Sequence, residues 1–435
     1  MDFLHDKNLV TDKYLRACAV GVIRRGETRA NAEEHLAELE ELLSTYGVPT
    51  AEKIIANAEK TTAAFLVGSG KVEEVRERAE AMECEVIVVD DDLTPLQQRN
   101  WERVTKLAVI DRQEVILGIF ADRARTKEAQ LQVELARARY SLPRLQRAWT
   151  HLERQRGGRG FKGGSGEAQL ETDRRLVRNR ITQLRRDLEH VRQVRATQRK
   201  SREYHEVPTV SLVGYTNAGK SSLMRCLTGA DVLVEDKLFA TLDPTTRRIH
   251  LDAGREVLLT DTVGFIRKLP HGLVEAFKAT LEEAQLADLL VHVIDSSHPQ
   301  WHEHLEAADA VLEELEALDK PTVFALNKAD LLQDRSTFAR FREKHEACVF
   351  TSAVTGEGIE DLQRMLHKML PQLRQRLSLR VPAGRGDVLS WLHREGQVLR
   401  TEYDGGDALL DVMLPRALAE RAAQWAAPEA VSGTA

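Results

Sequence analysis

The 435-residue sequence predicts an α/β protein built from four parts, on the basis of three observations. Apolar runs alternate with amphipathic helical stretches over residues 1–125, and apolar residues recur in heptads over 126–206. A glycine-rich G-x-x-x-x-G-K-S motif then follows an apolar run early in 207–371. These patterns predict a small parallel α/β domain, a long antiparallel helical hairpin and a P-loop domain, followed by a small α+β domain over 372–425.

Composition indicates a soluble protein. Hydrophobic residues make up 42% of the chain and charged residues 30%, which is enough apolar material for real cores. No apolar run approaches the roughly 20 residues of a membrane-spanning helix, and residues 1–13 lack the pattern of a secretion signal. We therefore expect a cytoplasmic protein. Its widely spaced cysteines are expected to be reduced thiols, not disulfides or zinc ligands. They are Cys18, Cys84, Cys226 and Cys348.

The N-terminal domain is predicted to contain strands over residues 16–23, 63–67, 86–89 and 107–110, with helices between them. This alternation favours a parallel sheet. The segment G-S-G-K at 68–71 raises the alternative of a second nucleotide site. It lacks the P-loop spacing, so a tight strand-to-helix turn is the favoured interpretation.

The helical hairpin is predicted from apolar residues spaced alternately by four and three positions. Pro143 is expected to kink its first helix. The first apolar series comprises Leu131, Leu135, Ala138, Leu142, Leu145, Trp149 and Leu152, and the second comprises Val177, Ile181, Leu184, Leu188 and Val191.

A basic, glycine-rich tip is predicted between the two helices, over residues 157–166, where six of ten residues are glycine. Residues 144–203 hold 17 Lys and Arg against 7 Asp and Glu, although the whole chain has a net charge of −6. Such charges often form only the solvated faces of a coiled coil. A glycine-rich basic loop instead favours RNA, since arginines can follow phosphates and an aromatic ring can stack on a base. The candidate RNA-binding residues are Arg154, Arg156, Arg159, Phe161 and Lys162.

The most specific motif lies at residues 214–221, between a strand-like run and a helix-like run. A glycine-rich turn at a helix start directs backbone N–H groups and the helix dipole towards bound phosphates. Lys220 is expected to reach the terminal phosphates, and Ser221 to supply an oxygen to Mg²⁺. The nucleotide-binding residues predicted here are Gly214, Tyr215, Thr216, Asn217, Ala218, Gly219, Lys220 and Ser221.

The base is predicted to be guanine. An N-K-A-D motif follows an apolar strand, and its Asp330 can accept hydrogen bonds from the ring N–H and the exocyclic amine of guanine. Adenine has an acceptor in place of that ring N–H and would leave Asp330 unpaired. A second loop after another strand-like run is expected to close over the base. The residues concerned are Asn327, Lys328, Ala329 and Asp330, with Ser352, Ala353 and Val354 from the second loop.

Two further segments are expected to sense the γ-phosphate. D-T-V-G at 261–264 ends a strand, where an Asp can hold Mg²⁺ through water and a Gly can approach the phosphate. An upstream segment, F-A-T-L-D-P-T at 239–245, is the predicted first switch. Thr241 is the preferred Mg²⁺ ligand there, with Thr245 and Thr246 as alternatives. The predicted site residues are Phe239, Ala240, Thr241, Leu242 and Asp243, then Asp261, Thr262, Val263 and Gly264.

Phe265 stands where many GTPases have the glutamine that orients the attacking water. A phenyl ring neither donates nor accepts a hydrogen bond of that kind. We therefore expect slow intrinsic hydrolysis that a partner accelerates.

Beyond the predicted P-loop domain, the pattern over 372–425 reads β-α-β-β-α, and 426–435 is expected to be a disordered tail.

The motifs together resemble the HflX family of ribosome-associated GTPases. The resemblance rests on G-Y-T-N-A-G-K-S, F-A-T-L-D-P-T and D-T-V-G-F-I-R-K-L-P-H, and on W-T-H-L-E-R-Q and G-E-A-Q-L-E-T-D-R-R around the tip. It implies the four-part architecture, a P-loop GTPase domain, and GTP hydrolysed to GDP with Mg²⁺ held by Ser221 and Thr241. Lys220, Thr241 and Gly264 are the implied catalytic residues. The tip lacks a proline that the family carries near its end.

The resemblance also implies a partner and a role. It implies a factor that is monomeric when free and partly ribosome-associated, and that binds the large ribosomal subunit and its RNA. In its GTP-bound state such a factor dissociates stalled or idle ribosomes, and the ribosome stimulates hydrolysis. Two alternatives remain open from the sequence. One is an ATP-dependent RNA helicase or chaperone acting through the N-terminal domain, and the other is a switch that recruits a protein partner without RNA.

Overall fold

The computed structural model describes residues 16–58, 62–145, 164–203, 207–229, 238–251, 255–268, 283–370 and 374–426. Its N-terminal domain is a parallel sheet of strand order β2-β1-β3-β4. The strands are β1 (Ala17–Ile23), β2 (Thr50–Asn57), β3 (Val86–Val89) and β4 (Ala108–Asp111). The helices are α1 (Arg29–Tyr46), α2 (Ser69–Ala81), α3 (Pro95–Thr105) and α4 (Arg112–Arg123).

Local signals explain the helix ends in this domain. The Thr94 side chain and Gln97 form a reciprocal capping box at the start of α3, with Pro95 in the first turn. Helix α1 begins at a Thr28 cap and ends at Gly47, whose φ of 88° is left-handed. Each of the two faces of the sheet is buried under its own apolar cluster. The strands therefore appear in the sequence as continuous apolar runs.

One predicted strand of this domain is wrong. Residues 63–67 lie in a turn, closed by reciprocal backbone hydrogen bonds between Thr62 and Leu66, and Leu66 has a φ of 70°. The strand is instead β2, whose pattern was not recognised because an edge strand leaves part of its residues exposed. Gly68 caps α2 and Lys71 pairs with Glu74, at 2.7 Å from Nζ to Oε1.

The predicted hairpin is present as two helices, α5 (Lys127–Ser141) and α6 (Gly164–Glu203), that pack along one apolar seam. The first helix is interrupted at Pro143, where a kink is predicted: α5 ends at Ser141, a 3₁₀ turn follows over Leu142–Arg144, and Leu145 is again helical. Pro143 explains this end, because it has no N–H to continue the helix. Of the predicted tip, residues 164–166 belong to α6. The seam residues Trp149 and Leu152 lie outside the described residues, as do Arg154, Arg156, Arg159, Phe161 and Lys162.

The next domain has a sheet of order β10-β9-β8-β5-β7-β6, parallel except for β6 against β7. An apolar cluster from the sheet and two of its helices fills one face. The strands are β5 (Thr209–Gly214), β6 (Thr245–Leu251), β7 (Arg255–Asp261), β8 (Leu289–Asp295), β9 (Thr322–Asn327) and β10 (Cys348–Phe350). The helices are α7 (Lys220–Thr228), α8 (Trp301–Glu314), α9 (Ala339–Lys344) and α10 (Ile359–Met369).

The C-terminal part has the predicted β-α-β-β-α order and an antiparallel sheet of order β11-β13-β12. It comprises β11 (Arg374–Pro382), α11 (Gly386–Glu395), β12 (Gln397–Asp404), β13 (Asp407–Pro415) and α12 (Arg416–Ala422). Across the part of the chain that the structure describes, no helix is long and apolar enough to cross a membrane. All four cysteine thiols are free, as predicted.

The N-terminal and P-loop domains share an apolar cluster. In it, the ring of Phe120 on α4 meets the ring of Phe239 edge-on at 4.6 Å between centroids. The first predicted switch segment therefore lies at a contact between the two domains.

Candidate functional site

The G-x-x-x-x-G-K-S motif forms the turn between β5 and α7, and no residue with a side chain fits at two of its glycines. Gly214 has a φ of 137°, and a Cβ there would lie 2.2 Å from the carbonyl oxygen of Val293. Gly219 has a φ of 92°, and its Cβ would lie 2.2 Å from Asn327 Nδ2. The loop thus needs left-handed backbone and close packing at the same positions.

Lys220 lies inside this turn and is 6% exposed. Its ammonium donates hydrogen bonds to the carbonyl oxygens of Gly214, at 3.0 Å, and Tyr215, at 2.7 Å. Burial lowers the pKa of Lys220 to about 8, and the charge of Asp261 acts in the opposite direction. A buried cation inside a cradle of backbone N–H groups is suited to an anionic ligand.

Three side-chain oxygens meet beside this lysine. Ser221 Oγ lies 2.8 Å from Thr241 Oγ1 and donates to Asp261 Oδ2 at 2.6 Å, while Thr241 Oγ1 donates to the same Oδ2 at 3.0 Å. The second oxygen of Asp261 is buried without a hydrogen-bond partner among the described residues. Burial raises the pKa of Asp261, against the charge of Lys220. Of the alternative threonines, Thr245 and Thr246 lie in β6, and Thr246 Oγ1 is 3.0 Å from Thr260 Oγ1.

The two loops predicted to hold the base lie side by side behind the P-loop. Asn327 links them, because its Nδ2 donates to Ala218 O at 2.9 Å and its Oδ1 accepts from Ala353 N at 3.3 Å. Lys328 Nζ lies 2.7 Å from Asp295 Oδ2. Asp330 is exposed on the 3₁₀ turn Ala329–Leu331, Ser352 is buried and Val354 is 85% exposed.

Several predicted site residues direct their side chains away from the P-loop. Phe239 and Leu242 are buried in the apolar cluster shared with the N-terminal domain. The Asp243 carboxylate accepts hydrogen bonds from the backbone N–H groups of Arg125 and Thr126. From this segment, Phe239, Ala240 and Thr241 line the small cavity of about 50 Å³ beside Lys220.

The second predicted switch runs alongside the P-loop. Thr262 Oγ1 donates to Leu212 O at 2.7 Å, and Val263 and Phe265 are buried. Gly264 packs so closely that an added Cβ would lie 2.7 Å from Thr216 Cα.

Sequence reasoning missed the environment of Tyr215. Its hydroxyl donates to Glu38 on α1 and accepts from Arg267 N at 3.0 Å, and its ring stacks on His304 at 3.8 Å. Burial raises the pKa of the Tyr215 hydroxyl well above its usual range, with the charge of Glu38 acting in the same direction. Because Glu38 lies 177 positions away along the chain, no local motif could have revealed this contact.

Comparisons with known proteins cover the three larger parts of the chain. Residues 33–121 match the family described as GTP-binding GTPase N-terminal. Residues 123–202 match GTP-binding GTPase Middle Region. Residues 209–328 match 50S ribosome-binding GTPase.

Individual relatives match over nearly the full length. The chain is 46% identical over 411 residues to GTPase HflX of Akkermansia muciniphila, covering 92% of this chain and 94% of that protein. It is 46% identical over 385 residues to GTPase HflX of Escherichia coli, covering 88% of this chain and 90% of that protein. Among solved structures, it is similar to a GTP-binding protein of Sulfolobus solfataricus in complex with GDP. The sequence identity is 26% and the TM-score is 0.44, and the match covers 82% of this chain and 98% of that chain. With identity of this level over nine-tenths of its length, the chain belongs to the HflX family of GTPases.

Proposed function

We propose that this GTPase binds the large ribosomal subunit and its RNA in the GTP-bound state, dissociates stalled or idle ribosomes, and hydrolyses GTP to GDP when the ribosome stimulates it. The observation that carries the proposal is the match of residues 209–328 to a family described as 50S ribosome-binding GTPase. The basic segment over 144–203 supports it, because ribosomal RNA is a dense polyanion.

The oxygen atoms beside Lys220 fit a Mg²⁺ ion. Adjacent oxygen ligands of an octahedral Mg²⁺ lie about 3 Å apart when each is about 2.1 Å from the ion. Ser221 Oγ and Thr241 Oγ1, at 2.8 Å, have this spacing, and the unpaired oxygen of Asp261 is available to hold a bound water. We propose Ser221 and Thr241 as the ligands, and Mg²⁺ would neutralise charge on the phosphates.

The remaining catalytic groups follow from the same geometry. Lys220 would hold the terminal phosphates, and the backbone N–H of Gly264 would face the γ-phosphate, since Gly264 lies against Lys220 and Thr216. Phe265 is 1% exposed and cannot orient a water. Slow hydrolysis by the isolated protein is therefore part of the proposal, together with stimulation by the ribosome.

Co-sedimentation tests the ribosome proposal directly. The protein is mixed with purified large subunits and centrifuged in the presence of GDP or a non-hydrolysable GTP analogue. We expect binding with the analogue and little with GDP, and splitting of added whole ribosomes by the analogue-bound protein. Equal pelleting in both nucleotides would contradict the dependence on GTP, and pelleting in neither would contradict ribosome binding and favour a protein partner.

Asp330→Asn tests the assignment of the base. An amide in place of the exposed carboxylate complements xanthine, so affinity should move from GTP to xanthosine triphosphate by about 10²-fold or more. Isothermal titration with both nucleotides measures the two affinities. As a control, Asp319→Asn, in the loop before β9, should leave GTP affinity unchanged. Unaltered GTP binding by the Asp330 variant would refute the base assignment.

A further inference from the structure

Thr216, the third residue of the G-x-x-x-x-G-K-S motif, has a buried hydroxyl with no hydrogen-bond partner among the described residues. The residue is 5% exposed, so bulk water does not satisfy this oxygen either. Folded proteins leave few buried polar atoms unpaired, because each one costs free energy. An unpaired hydroxyl in a phosphate-binding turn is therefore a candidate contact to the bound ligand.

The hydroxyl belongs to the nucleotide cavity, since Thr216 lines the space of about 50 Å³ beside the P-loop. Other hydroxyls there are already used. Ser221 and Thr241 both donate to Asp261, and Thr262 donates to a strand carbonyl at 2.7 Å. Among the described residues that line this cavity, Thr216 is the one whose side-chain oxygen is buried without a partner.

The neighbours of Thr216 place it at the end of the turn that would receive the γ-phosphate. A Cβ built on Gly264 would lie 2.9 Å from Thr216 Cγ2 and 3.0 Å from Lys220 Nζ, so these residues converge on one point. The lysine of a P-loop reaches the β- and γ-phosphates. The Thr216 hydroxyl shares its Cβ with that methyl group, so it lies beside the same point.

This is also the place that lacks a group to orient the attacking water. The backbone of Phe265, which replaces the usual glutamine, lies against Thr216, because Thr216 N donates to Phe265 O at 2.7 Å. A threonine hydroxyl can accept a hydrogen bond from water and donate one to a phosphate oxygen at the same time. Thr216 thus has the hydrogen-bonding capacity that the neighbouring phenyl ring lacks.

The backbone that carries this hydroxyl is held in place. The ring of Tyr215, the preceding residue, stacks on His304 at 3.8 Å between centroids. The carbonyl oxygen of Tyr215 accepts a hydrogen bond from Lys220 Nζ at 2.7 Å. A polar group that is fixed in advance does not have to reorganise when the transition state forms.

We propose that Thr216 is a catalytic residue whose hydroxyl orients the water that attacks the γ-phosphorus of GTP. The hydroxyl accepts a hydrogen bond from the water and donates one to a γ-phosphate oxygen. As the water oxygen bonds to phosphorus, the bond from phosphorus to the β–γ bridging oxygen breaks, and its electron pair leaves with GDP. One proton of the water passes to a phosphate oxygen, and Thr216 is unchanged at the end. This inference rests on GTP hydrolysis and not on the ribosome proposal.

Thr216→Val in the full chain removes the hydroxyl and keeps the size of the side chain. The single-turnover rate of GTP hydrolysis by the free protein should fall roughly five- to twentyfold, as expected for the loss of a neutral hydrogen bond in the transition state. Affinities for GDP and for a non-hydrolysable GTP analogue should stay within about threefold, because the hydroxyl acts mainly when water attacks. Quench kinetics and isothermal titration measure these quantities.

Two further variants serve as controls. Thr216→Ser keeps the hydroxyl, so its rate should stay within about threefold of the wild-type rate. Thr322→Val removes a partly buried hydroxyl at the start of β9, which donates to Lys320 O at 2.9 Å. This second control should leave the rate unchanged.

A wild-type rate in Thr216→Val would overturn the proposal. So would a weaker affinity for the GTP analogue at an unchanged rate, because the hydroxyl would then bind phosphate without acting on the water. If GDP affinity also falls in Thr216→Val, the turn is distorted, and the rate of Thr216→Ser decides instead. A serine variant as slow as the valine variant would assign the effect to the methyl group and overturn the proposal.

Discussion

At the scale of single residues, Gly264 marks the closest approach between the second switch and the P-loop. An added Cβ would lie 2.7 Å from Thr216 Cα and 3.0 Å from Lys220 Nζ. Its φ is not in the left-handed region, so the requirement for glycine here comes from space and not from backbone conformation. A sequence motif shows that a glycine is present, but only the packing shows why.

Gly264→Ala should slow single-turnover GTP hydrolysis by about 10²-fold, because the methyl group displaces the switch by an ångström or so from the phosphate. GDP affinity should change little, since GDP has no γ-phosphate. Rapid-quench kinetics measures the rate. Gly70→Ala is the control, because no atom lies within 4 Å of its added Cβ. Wild-type turnover in Gly264→Ala would disprove this role.

At the scale of elements, Asp111 joins strand β4, helix α4 and the end of α5, the first helix of the hairpin. It caps α4 through Glu114 N, and accepts from Tyr140 Oη at 3.0 Å and from Arg144 at 3.2 Å. Burial raises the pKa of Asp111 to about 6, although the charge of Arg144 lowers it. The end of α5 is thus attached to the N-terminal sheet by a fully buried carboxylate.

This joint predicts a pH dependence of stability. The folded state holds the Asp111 proton more tightly than the unfolded state, whose pKa is near 3.8. The resulting stabilisation is complete below pH 3.8 and is lost as pH rises to about 6, a change on the order of 3 kcal/mol. Relative to Asp111→Asn, the wild type should therefore lose stability between pH 4 and 6.5. Urea unfolding followed by circular dichroism tests this, and parallel curves for the two proteins would refute it.

The hairpin seam gives a prediction on packing. Leu184 is fully buried between α5 and α6, whereas Leu176 on the same helix is 54% exposed. Leu184→Ala should destabilise the hairpin by about 2–5 kcal/mol through the cavity it leaves, and Leu176→Ala by less than about 0.5 kcal/mol. Hydrogen exchange of peptides from α6 compares the stability of the hairpin in the two variants. Equal protection in both variants would show that the seam does not stabilise the hairpin.

At the scale of the whole molecule, the basic hairpin and the nucleotide site lie in different parts of the chain. Cations concentrate over 144–203 although the protein as a whole is acidic. The contacts between domains that involve the nucleotide site come from α1, α4 and the strand ends of the N-terminal sheet, and from Arg125 and Thr126 at the start of α5, far from the tip in sequence. Binding of RNA and binding of nucleotide should therefore be separable by mutation.

Deleting residues 157–166 should weaken binding to large subunits by about tenfold or more, because two cations, Arg159 and Lys162, are lost with the tip. GTP affinity should stay within about twofold. Sedimentation and titration on the same preparation measure the two quantities. Removal of residues 427–435 serves as the control and should affect neither. Parallel losses of both affinities in the tip deletion would contradict the separation.

The sequence alone determined the fold class, the order of the four parts and the position of the P-loop, because each of these follows from a pattern of residues that are contiguous in the chain. Periodicity predicted the hairpin seam and the C-terminal β-α-β-β-α order. It failed for β2, an edge strand whose exposed positions hide its period.

Only the tertiary structure decided what surrounds the switches. It turned Phe239, Leu242 and Asp243 towards other domains, and it brought Arg267 and Lys268 onto two carboxylates linked by Arg112. These pairs are separated by up to 229 positions in the chain. A contact of that kind depends on how two folded domains pack against each other, so it cannot be predicted from the local spacing of residues.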